Sequence, residues 1–320
     1  MDPQIIISIV VPIYKVEAFI ERCARSILEQ MNERVEVIFV NDSSPDGSIQ
    51  ILQSVVNAFP DARYKIVSHE KNLGLAAARR TGIQNAVGQY VFHVDSDDYL
   101  LPGAFACFFS QLEREDYPDV ILGNYMNVYR NKQIPYKRQV IGDKVELISS
   151  IIMRKQSCNL VNNLIKRRLY EGMETPPINN GEDFVTLPRL LYRSRTISYS
   201  EAITYAYTHT NTNAFQFKYK SASNRKEKIR ASAYLLNYFQ NIKAPFQIIQ
   251  SVKFSMLLNE AIDLIYATSV KQAKEVQINL EDFKRDGSKL KLSYRIFLLL
   301  RIRKMYRSLL ILAAIARWFV

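Results

Sequence analysis

The segment Gln89-Tyr90-Val91-Phe92-His93-Val94-Asp95-Ser96-Asp97-Asp98 decides the fold. From Tyr90 to Val94 it is aromatic and β-branched and has no acid, Lys or Arg, the pattern of a strand buried on both faces. It then ends in three carboxylates. Open α/β sheets take ligands in the crevice outside the carboxyl ends of their strands, so Asp95, Asp97 and Asp98 stand where a functional acidic cluster is expected. Oxygen ligands of this kind suit Mg²⁺ or Mn²⁺, and Mg²⁺ is commonly held by one or two carboxylates together with substrate phosphates. The segment therefore reads as a site for a divalent cation and a diphosphate. Its plainer reading is a polar exit from a strand into a helix, because Asp and Ser also initiate turns.

Upstream, strands and helices alternate. Ile5 to Pro12 is a buried strand stopped by proline, and Val16 to Gln30 has helical spacing. Val35 to Val40 is a second strand that runs into Asn41-Asp42-Ser43-Ser44-Pro45-Asp46-Gly47-Ser48, a turn-rich loop capping a helix over 48–59. Tyr64 to His69 is a third strand, followed by Asn72-Leu73-Gly74-Leu75-Ala76-Ala77-Ala78-Arg79 and a helix to about Asn85. This order predicts a parallel sheet with right-handed crossovers.

The succession of Asn-Asp-Ser-Ser-x-Asp-Gly-Ser, Asn-x-Gly-x-Ala-x-Ala-Arg and Asp-Ser-Asp-Asp, each after a strand, resembles family 2 glycosyltransferases of the GT-A fold. Ser8-Ile-Val-Val-Pro-Ile-Tyr14 and Ile27-Leu-Glu-Gln30 fit the same pattern, and the resemblance covers roughly residues 5 to 210. Asn41 and Ser43 replace that family's second acid and glycine. The resemblance implies an α/β fold with a GT-A, Rossmann-like mixed sheet flanked by helices and a C-terminal helical extension. It implies a nucleotide-sugar site at Pro12, Tyr14, Asp42, Arg79, Asp95 and Ser96, with Asp95 and Asp97 as the D-x-D metal ligands and His209 as a third ligand. The cofactor would be Mn²⁺ or Mg²⁺. Such an ion acts as a Lewis acid on the diphosphate leaving group, and an arginine adds a charge-assisted hydrogen bond. Arg79 also reads as a solvated helix charge, Gly74 and Gly82 as turn and packing glycines, and His209 as a loop histidine bonded to backbone.

Downstream, Ala104 to Glu115 reads as a helix, Asp119 to Asn124 as a strand, Tyr125 to Val140 as a hairpin turning at Asn131-Lys132-Gln133, and Lys144 to Lys155 as a helix. Val161-Asn162-Asn163-Leu164 resembles the family's Trp-Asn-Lys-Leu segment, and reads either as a sugar-site lining or as a structural helix. Asn180-Gly181-Glu182-Asp183 precedes an apolar helix. An acidic pair there complements the helix dipole. The resemblance instead makes Asp183 the catalytic base, oriented by Glu182, for an inverting transfer in which a carboxylate takes the acceptor hydroxyl's proton. Neither Gln-x-x-Arg-Trp nor an array of membrane spans follows, which points to a single transfer per encounter.

The 320 residues carry a net charge of +12 and three scattered cysteines, Cys23, Cys107 and Cys158, which read as buried thiols in a reducing compartment. No signal peptide is legible at the N-terminus. Division is expected into a catalytic domain over 1–215 and a helical region over 216–320, with a basic linker at Lys218 to Lys228. Most of the charge lies beyond Lys284, where Leu298, Ile302, Met305, Leu309, Leu312 and Ala316 form a stripe in one amphipathic helix ending at Trp318 and Phe319. That pattern fits an anchor on an anionic membrane surface, or a face buried in protein. Nucleic acid is excluded as a partner, since no aromatic platform or reader motif accompanies the charge.

The expected function is an inverting, metal-dependent hexosyltransferase. It would move a sugar from a nucleotide-diphosphate donor, a UDP-sugar first, to a glycan or lipid-linked glycan in cell-surface polysaccharide synthesis. Its expected location is cytoplasmic, peripheral on the inner face of the cell membrane. The alternative is a catalytically inactive nucleotide-sugar-binding or membrane scaffold protein on the same fold.

Overall fold

The computed structural model describes residues 4–178, 181–211, 222–266, 269–276, 282, 284 and 292–316. They fall into two compact units. The first comprises 1–140, 157–179 and 186–212, and the second 141–156, 180–185 and 213–320. Two short segments upstream of residue 215 thus cluster with the C-terminal helices, which a single cut in sequence does not separate.

The first unit is built on a nine-stranded sheet in the order β3-β2-β1-β4-β8-β6-β9-β5, with β7 paired to β6. Its centre is β1 (Ile7–Ile13), every residue of which is buried. β2 (Val35–Asn41) and β4 (Tyr90–His93) flank β1 in parallel, and β3 (Tyr64–Ser68) lies parallel outside β2. The crossovers are α1 (Ile20–Leu28), α2 (Ser48–Val56) and α3 (Leu75–Asn85). α3 lies against β1 because Gly82 has no side chain, and a Cβ there would run into the methyl groups of Val10. Beneath it, Ser8 Oγ donates to Glu36 at 2.6 Å, and the Val87 and Gly88 amides donate to Glu36 and Ser8 at 2.7 and 2.8 Å, so this buried polar cluster is paired.

Beyond β4 the sheet turns mixed. β8 (Asn163–Lys166) inserts antiparallel between β4 and β6 (Val120–Val128), followed by a 3-10 turn at Arg167–Tyr170. The helical reading of Val161-Asn162-Asn163-Leu164 is therefore corrected: Val161 and Asn162 form a turn and the strand begins at Asn163. Asn162 and Asn163 are buried. Asn162 Nδ2 donates to the Asn124 carbonyl at 2.5 Å, and Asn163 Oδ1 accepts the Gly123 amide at 3.2 Å, so their amides brace the sheet from within. β6 and β7 (Gln133–Tyr136) form the expected hairpin. β9 (Ile197–Thr208) runs parallel to β6 and antiparallel to β5 (Tyr99–Leu100). α4 (Ala104–Arg114) packs Phe105, Phe108 and Leu112 into the main core, but its Cys107 is exposed, unlike the buried thiol expected.

The second unit is helical. It contains α5 (Lys144–Ile152), capped by the Asp143 carboxylate accepting the Glu146 amide at 2.7 Å. It also contains α7 (Ala222–Asn241), α8 (Phe246–Ile265) and α9 (Val270–Glu275). Residues 222–228, read as linker, form the first turns of α7. α6 (Glu182–Arg193) starts in this unit and continues in the first.

The tail is two helices, α10 (Leu292–Ile302) and α11 (Tyr306–Ala316), not one. Lys304 between them takes a left-handed φ of 56°, which breaks the helical phase. Leu298, Leu309 and Ala313 are fully buried in a cluster with Leu257, Ala261 and Leu264 of α8, while Met305 and Leu312 stay exposed. The apolar stripe is thus split, and part of it is spent on internal packing. Trp318 and Phe319 lie outside the described residues. No described helix is long and apolar enough to cross a membrane.

Candidate active site

The carboxyl ends of β2, β1 and β4 lie side by side, and the chain reverses its order of winding between β1 and β4. That is the point at which an open sheet offers a crevice. Pro12 is buried inside β1, which runs one residue past the expected proline stop to Ile13, and Tyr14 just beyond the strand is 41% exposed.

Asp42 follows β2. Its side chain is buried, and both oxygens are engaged: Oδ1 accepts the Leu73 amide at 2.8 Å and lies 2.7 Å from His69 Nδ1, while Oδ2 accepts the Gly74 amide at 2.8 Å. Asp42 therefore fastens the loop that opens α3. Gly74 there has a φ of 90°, which glycine adopts without steric cost. In the preceding loop Ser43, at the position where the family pattern has glycine, is itself left-handed with φ 57°. Asn41 Oδ1 stabilises that turn by accepting the Ser44 amide at 2.9 Å. Asp46 accepts from the Ser44 and Ser48 hydroxyls at 2.6 Å each, which offsets its desolvation and leaves its carboxyl below the usual range.

α3 carries Arg79 into the crevice. The residue is buried, and its Nη2 donates to Asp95 Oδ1 at 2.6 Å, so it is a paired charge and not a solvated one. The pair aims Asp95. Asp95, Asp97 and Asp98 converge just past β4, each offering an oxygen within 4.8 Å of the others. Ser96 between them is buried.

The three acids differ in what holds them. Asp98 is almost fully buried, with Oδ2 accepting the Tyr205 hydroxyl at 2.6 Å and Oδ1 the Thr208 amide at 2.6 Å. It clamps the acidic turn to the end of β9. Asp97 is held at its carbonyl by Thr208 Oγ1 at 2.7 Å and Arg22 Nη2 at 3.0 Å, and at its carboxylate by Asn211 Nδ2 at 2.9 Å. Burial first, and then the neighbouring Asp95, push Asp97 up to about 6. Asp98 is raised well above the carboxylate range by its burial and by Asp97 and Asp95. Cys23 beneath them is pushed up by burial and the same three acids, so its thiol is neutral. Desolvated carboxylates crowded this closely disfavour ionisation unless a cation shares them. This donor set fits a divalent ion. Asp95 and Asp97 are the partly open ligands, and Asp98 has both oxygens engaged by the protein.

His209 lies apart from this group. It directly follows Thr208, the last residue of β9, which holds the acids. The ring of His209 instead stacks on Tyr129 with centroids 4.3 Å apart, and its Nε2 lies 2.9 Å from Asn127 Oδ1. The structure thus places Asp98 with the D-x-D pair and seats His209 among aromatic rings. Tyr205, Thr208, Asn211 and Arg22 had no local signal: each is 75 or more positions away in sequence from the acid it holds. Glu182 and Asp183 occupy the first turn of α6, Glu182 buried and Asp183 half-buried, in the second unit.

Comparison with known proteins agrees with this architecture. Residues 8–171 match the family described as glycosyl transferase family 2. The chain is 40% identical over 120 residues to an uncharacterized glycosyltransferase, EpsJ, of Bacillus subtilis (strain 168). The match covers 38% of this chain and 34% of that one, so it spans about a third of the relative's length. Among solved structures, S. aureus TarS 1-349 in complex with UDP-GlcNAc superposes with a TM-score of 0.68 at 17% identity, over 98% of this chain and 92% of that one. A mannosyltransferase from Pyrobaculum calidifontis in complex with GDP-Man and Mn²⁺ gives 0.55 at 18%, over 98% and 87%. With the D-x-D acids, the Arg79 pair and the 3-2-1-4 strand order in place, the chain belongs to glycosyl transferase family 2 and has the GT-A fold.

Proposed function

We propose that this glycosyltransferase moves a sugar with inversion from a UDP-sugar to a hydroxyl of a glycan or lipid-linked glycan, as a step in cell-surface polysaccharide synthesis. The observation that carries the reading is the convergence of Asp95 and Asp97 beside Arg79 at the switch point of the sheet. The choice of UDP is supported by the fold shared with the UDP-GlcNAc complex of TarS. Mn²⁺ or Mg²⁺ would be held by Asp95 and Asp97, and would supply Lewis acidity that neutralises charge developing on the departing diphosphate.

The chain's own residues supply the rest. Arg79 orients Asp95, and Asp98 with Tyr205 and Thr208 keeps the acidic turn rigid. Asp42 sets the loop against which the base and ribose lie, between Pro12, Tyr14 and Ser96. Asp183 takes the proton of the acceptor hydroxyl as its oxygen attacks the anomeric carbon opposite the diphosphate, with Glu182 orienting it. This assignment is supported by the position of the Glu-Asp pair in the sequence and by the half-buried place of Asp183 at a helix start. The basic tail would favour an anionic surface on the cytoplasmic side of the membrane through charge, since Leu298 and Leu309 are packed inside.

Calorimetric titration with UDP-, GDP- and CDP-sugars, with Mn²⁺ and with chelator, tests the donor half. Metal-dependent binding of the UDP class by wild type and Asp183→Asn, with turnover lost about 10²- to 10⁴-fold in Asp183→Asn alone, is the expected result. No nucleotide-sugar binding under either condition would overturn the reading in favour of a scaffold.

A further inference from the structure

Five rings gather where β6, β7 and β9 end, on the strands and just beyond them. Tyr125 stacks on Tyr136 with centroids 4.6 Å apart and meets Tyr207 at 5.6 Å. Tyr207 meets His209 edge-on at 5.1 Å, and His209 lies flat under Tyr129, tilted by only 7°. The row passes from buried to open: Tyr125 is 8% exposed and Tyr129 is 37% exposed. Such a gradient gives the outer rings a rigid base. His209 is fixed further by Asn127 at Nε2 and by its amide donating to the Val128 carbonyl at 2.9 Å. Lys132, exposed at the hairpin tip, lays its ammonium 5.2 Å from the centre of the Tyr129 ring. That contact shows that the Tyr129 ring accepts positive charge.

The row shares its strand end with the residues that hold the proposed donor site. Tyr207 and His209 flank Thr208, which binds the carbonyl of Asp97 and the carboxylate of Asp98. Tyr207 is also two residues beyond Tyr205, whose hydroxyl holds Asp98, about 7 Å along the strand. A pyranose has one face of C–H bonds with partial positive charge, which suits the negative face of a ring, and hydroxyls at its rim that suit amides and an ammonium. Tyr129, with Asn127 and Lys132 around it, offers that combination.

We infer that Tyr129, seated on His209 and Tyr207, is a stacking platform for a neutral pyranose ring of the acceptor, beside the sugar that accepts transfer. The inference rests on the glycosyltransferase reading above, and it gives His209 the task of supporting a ring instead of binding metal.

The test is saturation-transfer NMR with the methyl pyranosides of glucose, galactose, mannose and N-acetylglucosamine, on full-length protein holding UDP and Mn²⁺. At least one glycoside should receive saturation on its ring protons from wild type. Tyr129→Phe should keep the signal, and Tyr129→Ala should lower it at least fivefold. His209→Ala should lower it too while its Mn²⁺-dependent UDP affinity stays within twofold of wild type by calorimetry. An unchanged signal in Tyr129→Ala, no signal from any glycoside on a wild type that binds UDP, or loss of UDP binding in His209→Ala would each overturn the platform. A wild type that binds no UDP overturns the donor reading instead.

Discussion

Replacing Asp97 by asparagine should make the metal-free protein more stable at neutral pH and leave it unable to respond to metal. Asp97 is raised from an ordinary value near 3.8 to about 6, mainly by burial and then by Asp95. Two units or so correspond to roughly 3 kcal/mol. The sign follows from proton linkage. Between pH 3.8 and about 6 the folded protein holds a proton that the unfolded chain releases, so stability is full below that window and falls as pH rises through it. Above pH 6 the whole deficit is present. Asparagine never ionises, and its carbonyl can still accept from Asn211 Nδ2. For a domain of this size 1 kcal/mol moves the melting temperature by about 2–4 °C, so the variant should melt roughly 6–12 °C above wild type at pH 8 in chelator. At pH 4 the two should agree. Adding Mn²⁺ should raise wild type by mass action and leave Asp97→Asn where it was. Coincident melting curves at pH 8 in chelator would refute the argument from burial, and equal responses to Mn²⁺ would refute Asp97 as a ligand.

Three further outcomes are expected. Gly82→Ala should destabilise the first unit by about 1–3 kcal/mol in urea titrations, because its methyl must displace Val10 at the centre of the sheet. Ser43→Gly should stabilise by up to about 1 kcal/mol by relieving a left-handed φ of 57° at a residue with a Cβ; a loss of stability would show that the serine is held there by more than its backbone. Leu309→Ala should cost about 2–5 kcal/mol in the helical unit and leave sedimentation with anionic vesicles unchanged, whereas lost sedimentation without lost stability would place that side chain in lipid.

The parts of the fold written in continuous apolar runs were legible in the sequence. β1, β2 and β4 are nearly all apolar because each is covered on both faces, with Ser8 and Glu36 paired inside, and the acids that follow β2 and β4 mark the crevice. β8 was not legible. Its entry carries Asn162 and Asn163, whose amides are satisfied by Asn124, Gly123 and the 159–161 carbonyls, and no local pattern announces such partners. The role of Asp98 was hidden similarly, since its clamp comes from Tyr205 and Thr208 more than a hundred residues on. The family pattern suggested His209 as a ligand, but its ring stacks on Tyr129 and meets Asn127, partners that no local pattern announces. The tail misled because its stripe keeps helical period through Lys304, and periodicity does not register one left-handed residue.

Asp42 bears on how variants of this enzyme are interpreted. A residue expected to touch the nucleotide already serves two amides and an imidazole from the segment 69–74. Its truncation to alanine would remove a ligand contact and unfasten a loop at once, so a single loss of activity would have two causes. Asparagine makes a smaller change: it keeps the shape and one carbonyl acceptor, while its amide nitrogen, a donor, would face one of the two amides that the Asp42 oxygens accept. Within such a pocket the most informative substitution is the one that changes the count of acceptors while keeping the shape.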